Sequence, residues 1–527
     1  MVAGMVNRNR CLRGLMVLGT ASHVGKSIVT AGLGRILADE GHRVAPFKAQ
    51  NMSLNSAATP DGREIGRAQA LQAEACRVIP RAEMNPILIK PSSDTRAQIV
   101  VLGRVWDHIS AADYHERRVE ELWPVVLESY ARLSADYDTI LIEGAGSPAE
   151  INLKAHDIVN MRMARAANAA CVLVGDIDRG GVFASLLGTL ELLPQDERMM
   201  IRGFIVNKFR GDMALLEPGI RMIEERIRVR CAGVIPYIHA LDLDEEDGVA
   251  LENRRTVARA WHGIDSEIST ARPVRIGVVA FPHLANFTDF DPLAMEPSVA
   301  LAFIENASDV CKADLLILPG TKQTHDDLEW MHQTGFTEAI REFRNAKNGR
   351  IIGICGGMQM LGVRIEDPTG MENEGTPRTM PGLDMLPITT VLNGEKLTRM
   401  VTGHLLTDQL WRVPLPAADF RGYEIHLGET HVHGGAAFSS ITRVGEGLAR
   451  FDGSVSDDAF VFGTYVHGLF DEDRFRHAFV DAVREASGLA PTKERGSASA
   501  NRERRIDRLA AHLRASLDMP LIKSWLE

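Results

Sequence analysis

From the start of the chain, short apolar runs alternate with amphipathic stretches. "GLMVLG" (14–19) reads as a buried strand, and "SIVTAGLGRILADEG" (27–41) follows as a helix with Val29, Leu33, Ile36 and Leu37 on one face. The runs "TILIEGAG", "ACVLVGDID" and "IRGFIVNKF" are further buried strands, and strands separated by helices imply a parallel sheet covered on both faces. A second series runs through "VRIGVVAFP", "ADLLILPGTK", "RIIGICGGMQMLG" and "FVFGTYVHGLF". The pattern predicts an α/β protein of two doubly wound domains, residues 1–242 and 273–475. The acidic stretch 243–272, with "LDEEDG", is expected to be a linker, and residues 476–527 a polar link ending in an amphipathic helix.

Length and composition narrow the class. A chain of 527 residues, 45% hydrophobic and 24% charged, is too long for one core and has a soluble globular profile. A net charge of −11 argues against a general nucleic-acid or membrane-surface binder, so an anionic ligand would need local cations. The cysteines at 11, 76, 171, 231, 311 and 355 are far apart and lack zinc spacing, which fits free thiols in a reducing cytoplasm. Arg8, Arg10 and Arg13 precede an apolar run too short for a signal peptide, and no stretch is long and apolar enough to span a bilayer. A homo-oligomer stays open.

"VLGTASHVGKS" (17–27) ends as a phosphate-binding loop does, but where G-x-x-x-x-G-K-[ST] needs its first glycine the chain has Thr20. Strand before and helix after supply the context: backbone amides face an anion, Lys26 reaches the outer phosphates and Ser27 can hold Mg²⁺. The loop resembles that of the dethiobiotin-synthetase-like ATPases, one residue longer than the ordinary form, at Gly19, Thr20, Val24, Gly25, Lys26 and Ser27. That resemblance implies ATP as ligand and places Glu143 of "IEGAGS" at the Mg²⁺, a capping carboxylate being the alternative. It makes Asn207 a base-binding candidate, against an ordinary strand-end asparagine.

"RIIGICGGMQMLG" brings an apolar strand to Cys355, where two glycines open a helix. This is the strained elbow that exposes a nucleophile, and a helix N-terminus favours the attacking thiolate. His467, ending another strand, is the candidate base. Amides of Gly320 and Gly356 are candidate oxyanion donors. Residues 273–475 resemble the class I glutamine amidotransferases, whose G-x-C-x-G-x-Q is matched by Gly353, Cys355, Gly357 and Gln359, with L-glutamine as the implied ammonia donor. Relatives carry a Glu two residues after the histidine; here it is Leu469, leaving Glu424 and Asp471 as candidates for the third member.

An ATP site joined to a glutaminase implies ATP-driven amide synthesis. "PFKAQNMSLNS" (46–56), "GREIGRAQALQAEA" (62–75), "NPILIKP" (85–91), "DIDRGGVFAS" (176–185) and "GYEIHLG" (422–428) together resemble the cobyric acid synthase family across nearly the whole chain. The resemblance implies amidation of the b, d, e and g carboxylates of adenosylcobyrinic acid a,c-diamide. Lys48, Gln50, Asn51, Arg67 and Lys90 are then candidates to hold the anionic corrinoid, with Arg63 and Arg96 nearby. Asp176 and Asp178 either bind Mg²⁺ or face the corrin. The competing readings are an a,c-diamide synthase and a P-loop regulatory ATPase with a degenerate second domain.

Overall fold

The computed structural model describes residues 13–91, 96–110, 114, 119–238, 261, 272–373, 375–492 and 495–527. The expected linker, apart from Trp261 and Arg272, lies outside the described residues. The chain forms two compact units. The first gathers the described residues of Met1–Ser53, Ile65–Glu246 and Arg502–Glu527, the second those of Leu54–Glu64 and Asp247–Asn501.

In the first unit, β1 (Arg13–Gly19) leads through the loop into α1 (Lys26–Asp39) and then β2 (Val44–Phe47). With β3 (Thr139–Glu143), β4 (Ala170–Asp176), β5 (Ile201–Phe209) and β6 (Arg230–Pro236) these form a parallel sheet in the order β6-β5-β4-β1-β3-β2. Leu15, Met16, Val17 and Leu18 are all fully buried, as expected of a central strand covered on both faces. The chain leaves β1 towards β2 on one side and later adds β4 on the other, so the carboxyl end of β1 is a topological switch point. A smaller sheet carries Gln50–Met52, Ile87–Pro91, Arg96–Val101 and Arg104–Ser110.

The second unit repeats the principle. Here β7 (Val274–Val279), β8 (Val299–Ile304), β9 (Leu315–Leu318), β10 (Arg350–Ile354), β14 (Val461–Thr464) and a short antiparallel edge lie in the order β8-β7-β9-β10-β14-edge. A second, antiparallel sheet contains β11 (Leu397–Leu405), β12 (Asp419–His426), β13 (Ser439–Arg443) and β15 (Val466–His467).

Residues 476–527 divide between the units. Phe475, Phe479, Val480 and Val483 of the helix Asp473–Ala486 are buried in the second core. Ile506, Leu509 and Leu513 of the helix Ala498–Ser516 share one face by their three- and four-residue spacing and are buried in the first. Arg35 of α1, fully buried, donates to both carboxylate oxygens of Glu503 at 2.8 and 2.7 Å.

Candidate active site

The loop after β1 is held by its own backbone and by side chains from neighbouring strands. Thr20 N donates to Val174 O (3.0 Å), and Gly25 adopts φ 99 as α1 begins. Only glycine fits there, because a Cβ would lie 2.2 Å from Asn207 Nδ2. A Cβ on Gly19 would likewise meet Val24 at 2.7 Å. Lys26 Nζ donates to Ala21 O (3.0 Å) and Gly146 O (3.1 Å), spanning the turns after β1 and β3.

Glu143, at the end of β3, is the centre of a buried polar cluster. Ser27 Oγ donates to its Oε1 at 2.7 Å, Lys48 Nζ lies 3.1 Å from the same oxygen, and Gln72 Nε2 donates to Oε2 at 2.6 Å. Burial opposes charge on this carboxylate, but Lys48, Gln72, Ser27 and Lys26 outweigh that and hold its pKa below the ordinary value. Lys48 is thus not a solvated surface charge. It is 4% exposed and bound to the Glu143 side of the loop.

Asn207 Nδ2 donates to Val24 O (2.8 Å), so its amide braces the loop backbone in this structure. Lys208 continues the brace, donating to His23 O (2.8 Å) and to Asp176 Oδ2 (2.9 Å), while Asp178 pairs with Arg210 at 3.0 Å. Asp176 and Asp178 are therefore engaged with cations of the chain itself. Of the expected corrinoid residues, Gln50 accepts from the Tyr114 hydroxyl and Asn51 Nδ2 donates to Gln69 Oε1 at 2.9 Å. Lys90 is buried on its strand, opposite Gln98, and Arg67 is half-buried at the first turn of the helix Arg67–Ala75.

In the second unit the carboxyl ends of β9, β10 and β14 converge, because these three parallel strands are neighbours. Cys355 follows β10 with φ 53 and ψ −114, a strained conformation for a residue with a Cβ. Its amide donates to Thr464 O (2.9 Å), and the helix Gly356–Leu361 begins at once. The glycines around it are required by close approach. A Cβ on Gly353 would lie 2.6 Å from the Met358 backbone, and one on Gly357 would lie 2.0 Å from Leu318 O. Gly320 lies close to both nucleophile and base: a Cβ there would be 3.1 Å from His467 Cε1 and 3.7 Å from Cys355 Cβ. Gly356 lies against Thr321, so the backbone at 320–321 and 356 flanks the thiol.

His467 is fully enclosed. Its Nδ1 lies 2.6 Å from Asp289 Oδ2, the Gly468 amide donates to Asp289 Oδ1 (3.2 Å), and the Tyr423 ring stacks on the imidazole at 5.4 Å. Nε2 is buried with no conventional hydrogen-bond acceptor. Burial alone would favour the neutral ring, but Asp289 and the Cys355 thiol reverse this and raise its pKa to about 10. The carboxylate facing His467 is thus neither of the two candidates read from the sequence. Glu424 is held by Arg443 (2.7 Å), and although burial opposes its charge, His426 and Arg443 lower its pKa to about 2. Asp471 ends the short 3-10 turn Leu469–Asp471 beyond the histidine.

A family model described as a CobB/CobQ-like glutamine amidotransferase domain matches residues 275–475. One described as a CobQ/CobB/MinD/ParA nucleotide binding domain matches residues 15–250. A protein named cobyric acid synthase from Moorella thermoacetica is 44% identical over 508 residues, 96% of either chain. Its namesake from Desulforudis audaxviator is 46% identical over 499 residues, covering 94% of this chain and 96% of that one. This chain belongs to the cobyric acid synthase family. A third member, from Sorangium cellulosum, is 46% identical over 521 residues, covering 96% of this chain and 97% of its own.

The family's two parts thus coincide with the two constellations: a nucleotide-binding domain around Lys26, Ser27 and Glu143, and an amidotransferase domain around Cys355 and His467. Three residues of these constellations escape sequence reasoning: Asp289, Gln72 and Lys208. For Asp289 a signal existed. "NFTDFDP" follows β7, the first parallel strand of its unit, and loops at the carboxyl ends of such strands are where sites form. No helix of the described residues is long and apolar enough to cross a membrane.

Proposed function

We propose that the protein carries out ATP-driven, glutamine-fed amidation of adenosylcobyrinic acid a,c-diamide at its b, d, e and g carboxylates. The observation that carries this is the pairing, in one chain, of the Ser27–Glu143–Lys48 cluster with the Cys355–His467–Asp289 line. In the second unit, Cys355 as thiolate attacks the glutamine carboxamide carbon, and the amides of Gly320 and Gly356 donate to the developing oxyanion. A donor of this kind contributes about a hundredfold to a thousandfold in rate. His467 gives its Nε2 proton to the departing ammonia, and water then releases glutamate from the thioester. Asp289 fixes the tautomer and orientation of the ring throughout.

In the first unit a corrinoid carboxylate takes the terminal phosphoryl group of ATP. Ammonia displaces phosphate from the acyl phosphate. Lys26 and Lys48 neutralise charge that builds on the transferring group. The donor set fits one Mg²⁺: a hydroxyl and a carboxylate in contact, hard oxygens of the kind this ion takes together with substrate phosphates. Ser27 and Glu143 would hold it, and it would supply electrostatic stabilisation to the phosphates. Among the described residues there is no cluster of three or more protein ligands, which a phosphate-bound Mg²⁺ does not require. Lys90, Arg67, Gln50 and Asn51 are proposed to face the corrinoid, while Asn207 serves the nucleotide through the loop it braces.

Incubating the protein with ATP, glutamine and the a,c-diamide and following product mass tests the reading. Four successive amidations are expected. Amidation of the unamidated corrinoid, cobyrinic acid, at its a and c positions alone would assign an a,c-diamide synthase instead. Absence of glutamine hydrolysis would leave a regulatory ATPase.

A further inference from the structure

The segment Leu54–Glu64 comes from the amino-terminal half of the chain yet folds with the second unit. Several of its polar groups bond to the elements around His467. Asn55 Oδ1 accepts from the Phe287 amide (3.3 Å), and Asn286 Oδ1 accepts from the Ser56 amide (3.1 Å), a reciprocal exchange in which both asparagines are buried. Asn286 takes φ 54, a left-handed conformation that asparagine tolerates better than most residues. It opens the turn Phe287–Phe290, in which the Asp289 amide donates back to Asn286 O (3.0 Å). Against the face of the imidazole, where Tyr423 stacks, the Tyr423 hydroxyl donates to Ser56 O (3.3 Å), and Ala58 packs against Tyr423 and Ile425. Ile425 O in turn receives the Cys355 thiol at 3.4 Å. The strand Ser56–Ala58 is itself anchored by Glu64, which accepts from Ser56 Oγ (2.8 Å) and pairs with Lys396 (2.6 Å).

Both walls that fix the histidine ring, the Asp289 turn and the Tyr423 strand, thus rest on this one segment. We propose that Leu54–Glu64 is a working part of the glutaminase site, in which Asn55 and Asn286 form a reciprocal clamp that positions Asp289 and, through it, His467. The proposal rests on the glutaminase reading above. Asn55 and Asn286 are positioning residues. They act on the orientation of the imidazole, so their loss lowers the rate of the chemical step and leaves glutamine binding in place.

The test uses the full chain and measures glutamate release. Asn55→Ala removes one acceptor. Asn286→Gly removes the other in a residue that suits the same backbone conformation. Each is expected to lower glutaminase kcat between about tenfold and a hundredfold, the range for a displaced catalytic group, with the KM for glutamine unchanged. The alkaline limb of the kcat/KM profile should move to lower pH, because a loosened Asp289 stabilises the imidazolium less; Cys355 and Tyr423, the other groups facing the ring, are unaltered. The double variant should be little worse than the poorer single one, since both serve one clamp. Asn55→Asp keeps the acceptor oxygen and should restore most of the rate. Wild-type kcat in Asn55→Ala, or losses that multiply in the double variant with no movement of the limb, would overturn the proposal. If Asn55→Ala melts far below wild type, Asn286→Gly and Asn55→Asp decide it. A wild-type protein that releases no glutamate would instead sink the glutaminase reading itself.

Discussion

The Asp289 carboxylate holds the His467 ring through Nδ1 at 2.6 Å, and its second oxygen receives the amide of the very next residue, Gly468. Two short contacts therefore fix one imidazole by its edge and by its backbone. Replacing Asp289 with Asn keeps the size but offers a donor where an acceptor is needed, which selects the wrong tautomer. Glutaminase kcat should fall by about a hundredfold or more, measured as glutamate release, while ATP binding is unaffected.

The same contact sets a pH dependence. His467 is raised to about 10, so its protonated form is favoured by the fold. A raised pKa contributes stability that is fully present below the unfolded value, about 6.5, and is lost as pH rises through about 10. The imidazolium form of His467 should accordingly persist well above neutrality. The glutaminase kcat/KM should hold on the alkaline side until near pH 10 and then decline. In Asp289→Asn that decline should begin at lower pH.

Lys26→Ala should abolish ADP formation and amidation and leave glutamine hydrolysis measurable. The lysine belongs to the loop after β1 and its bonds run to Ala21 and Gly146, all in the first unit. Synthesis at wild-type rate in this variant would remove the loop from the phosphoryl chemistry.

Lys48 makes a different prediction from an ordinary substrate-binding lysine. It is 4% exposed and its partner Glu143 is 1% exposed, so truncation strands a buried carboxylate. Lys48→Ala should cost about 3–5 kcal/mol of stability, as broken buried pairs do. It should also abolish synthesis. Thermal or denaturant unfolding separates this from a lysine that only touches substrate, whose loss would leave stability unchanged.

Cys355→Ser keeps the elbow but replaces a thiol with a hydroxyl, a much weaker nucleophile in this role. Glutamine-dependent synthesis should collapse, and ammonium salts should restore it, more strongly as pH rises, because only the unprotonated amine attacks. Product mass with each nitrogen source is the measurement.

The apolar runs were enough to place β1, β3, β4, β5, β7, β9, β10 and β14, because buried parallel strands are apolar throughout and stand out against the helices between them. The elbow was legible for a related reason: Gly353 and Gly357 are forced by atoms within 2.6 Å or less of where a Cβ would be, so that local geometry writes itself into the sequence. The pairing of Asp289 with His467 was not legible, although the loop that carries Asp289 follows a parallel strand, since the two meet across 178 residues and no spacing rule links them. Nor was the division of "PFKAQNMSLNS". Lys48 goes to Glu143, Asn51 to Gln69 and Asn55 to Phe287, and only the folded chain distributes neighbouring residues to three destinations. Asn207 shows the converse: the family resemblance pointed to it as a base-binding candidate, but the bond it makes to Val24 O depends on the register of β5 against β4.

The helix Ala498–Ser516 bears on how the chain is made. Ile506, Leu509 and Leu513 complete a core that begins with Leu15 and Val17, and a Cβ on Gly32 would lie 2.3 Å from Leu513, so two segments distant in sequence are fitted to each other. On the ribosome residues 15–39 emerge early, yet the face of α1 stays uncovered until residues 506–513 are synthesised. A chain truncated before residue 502 should therefore expose that face to protease and chaperone, while every residue of its amidotransferase half is present. A part of the protein translated early is thus a part that finishes folding late.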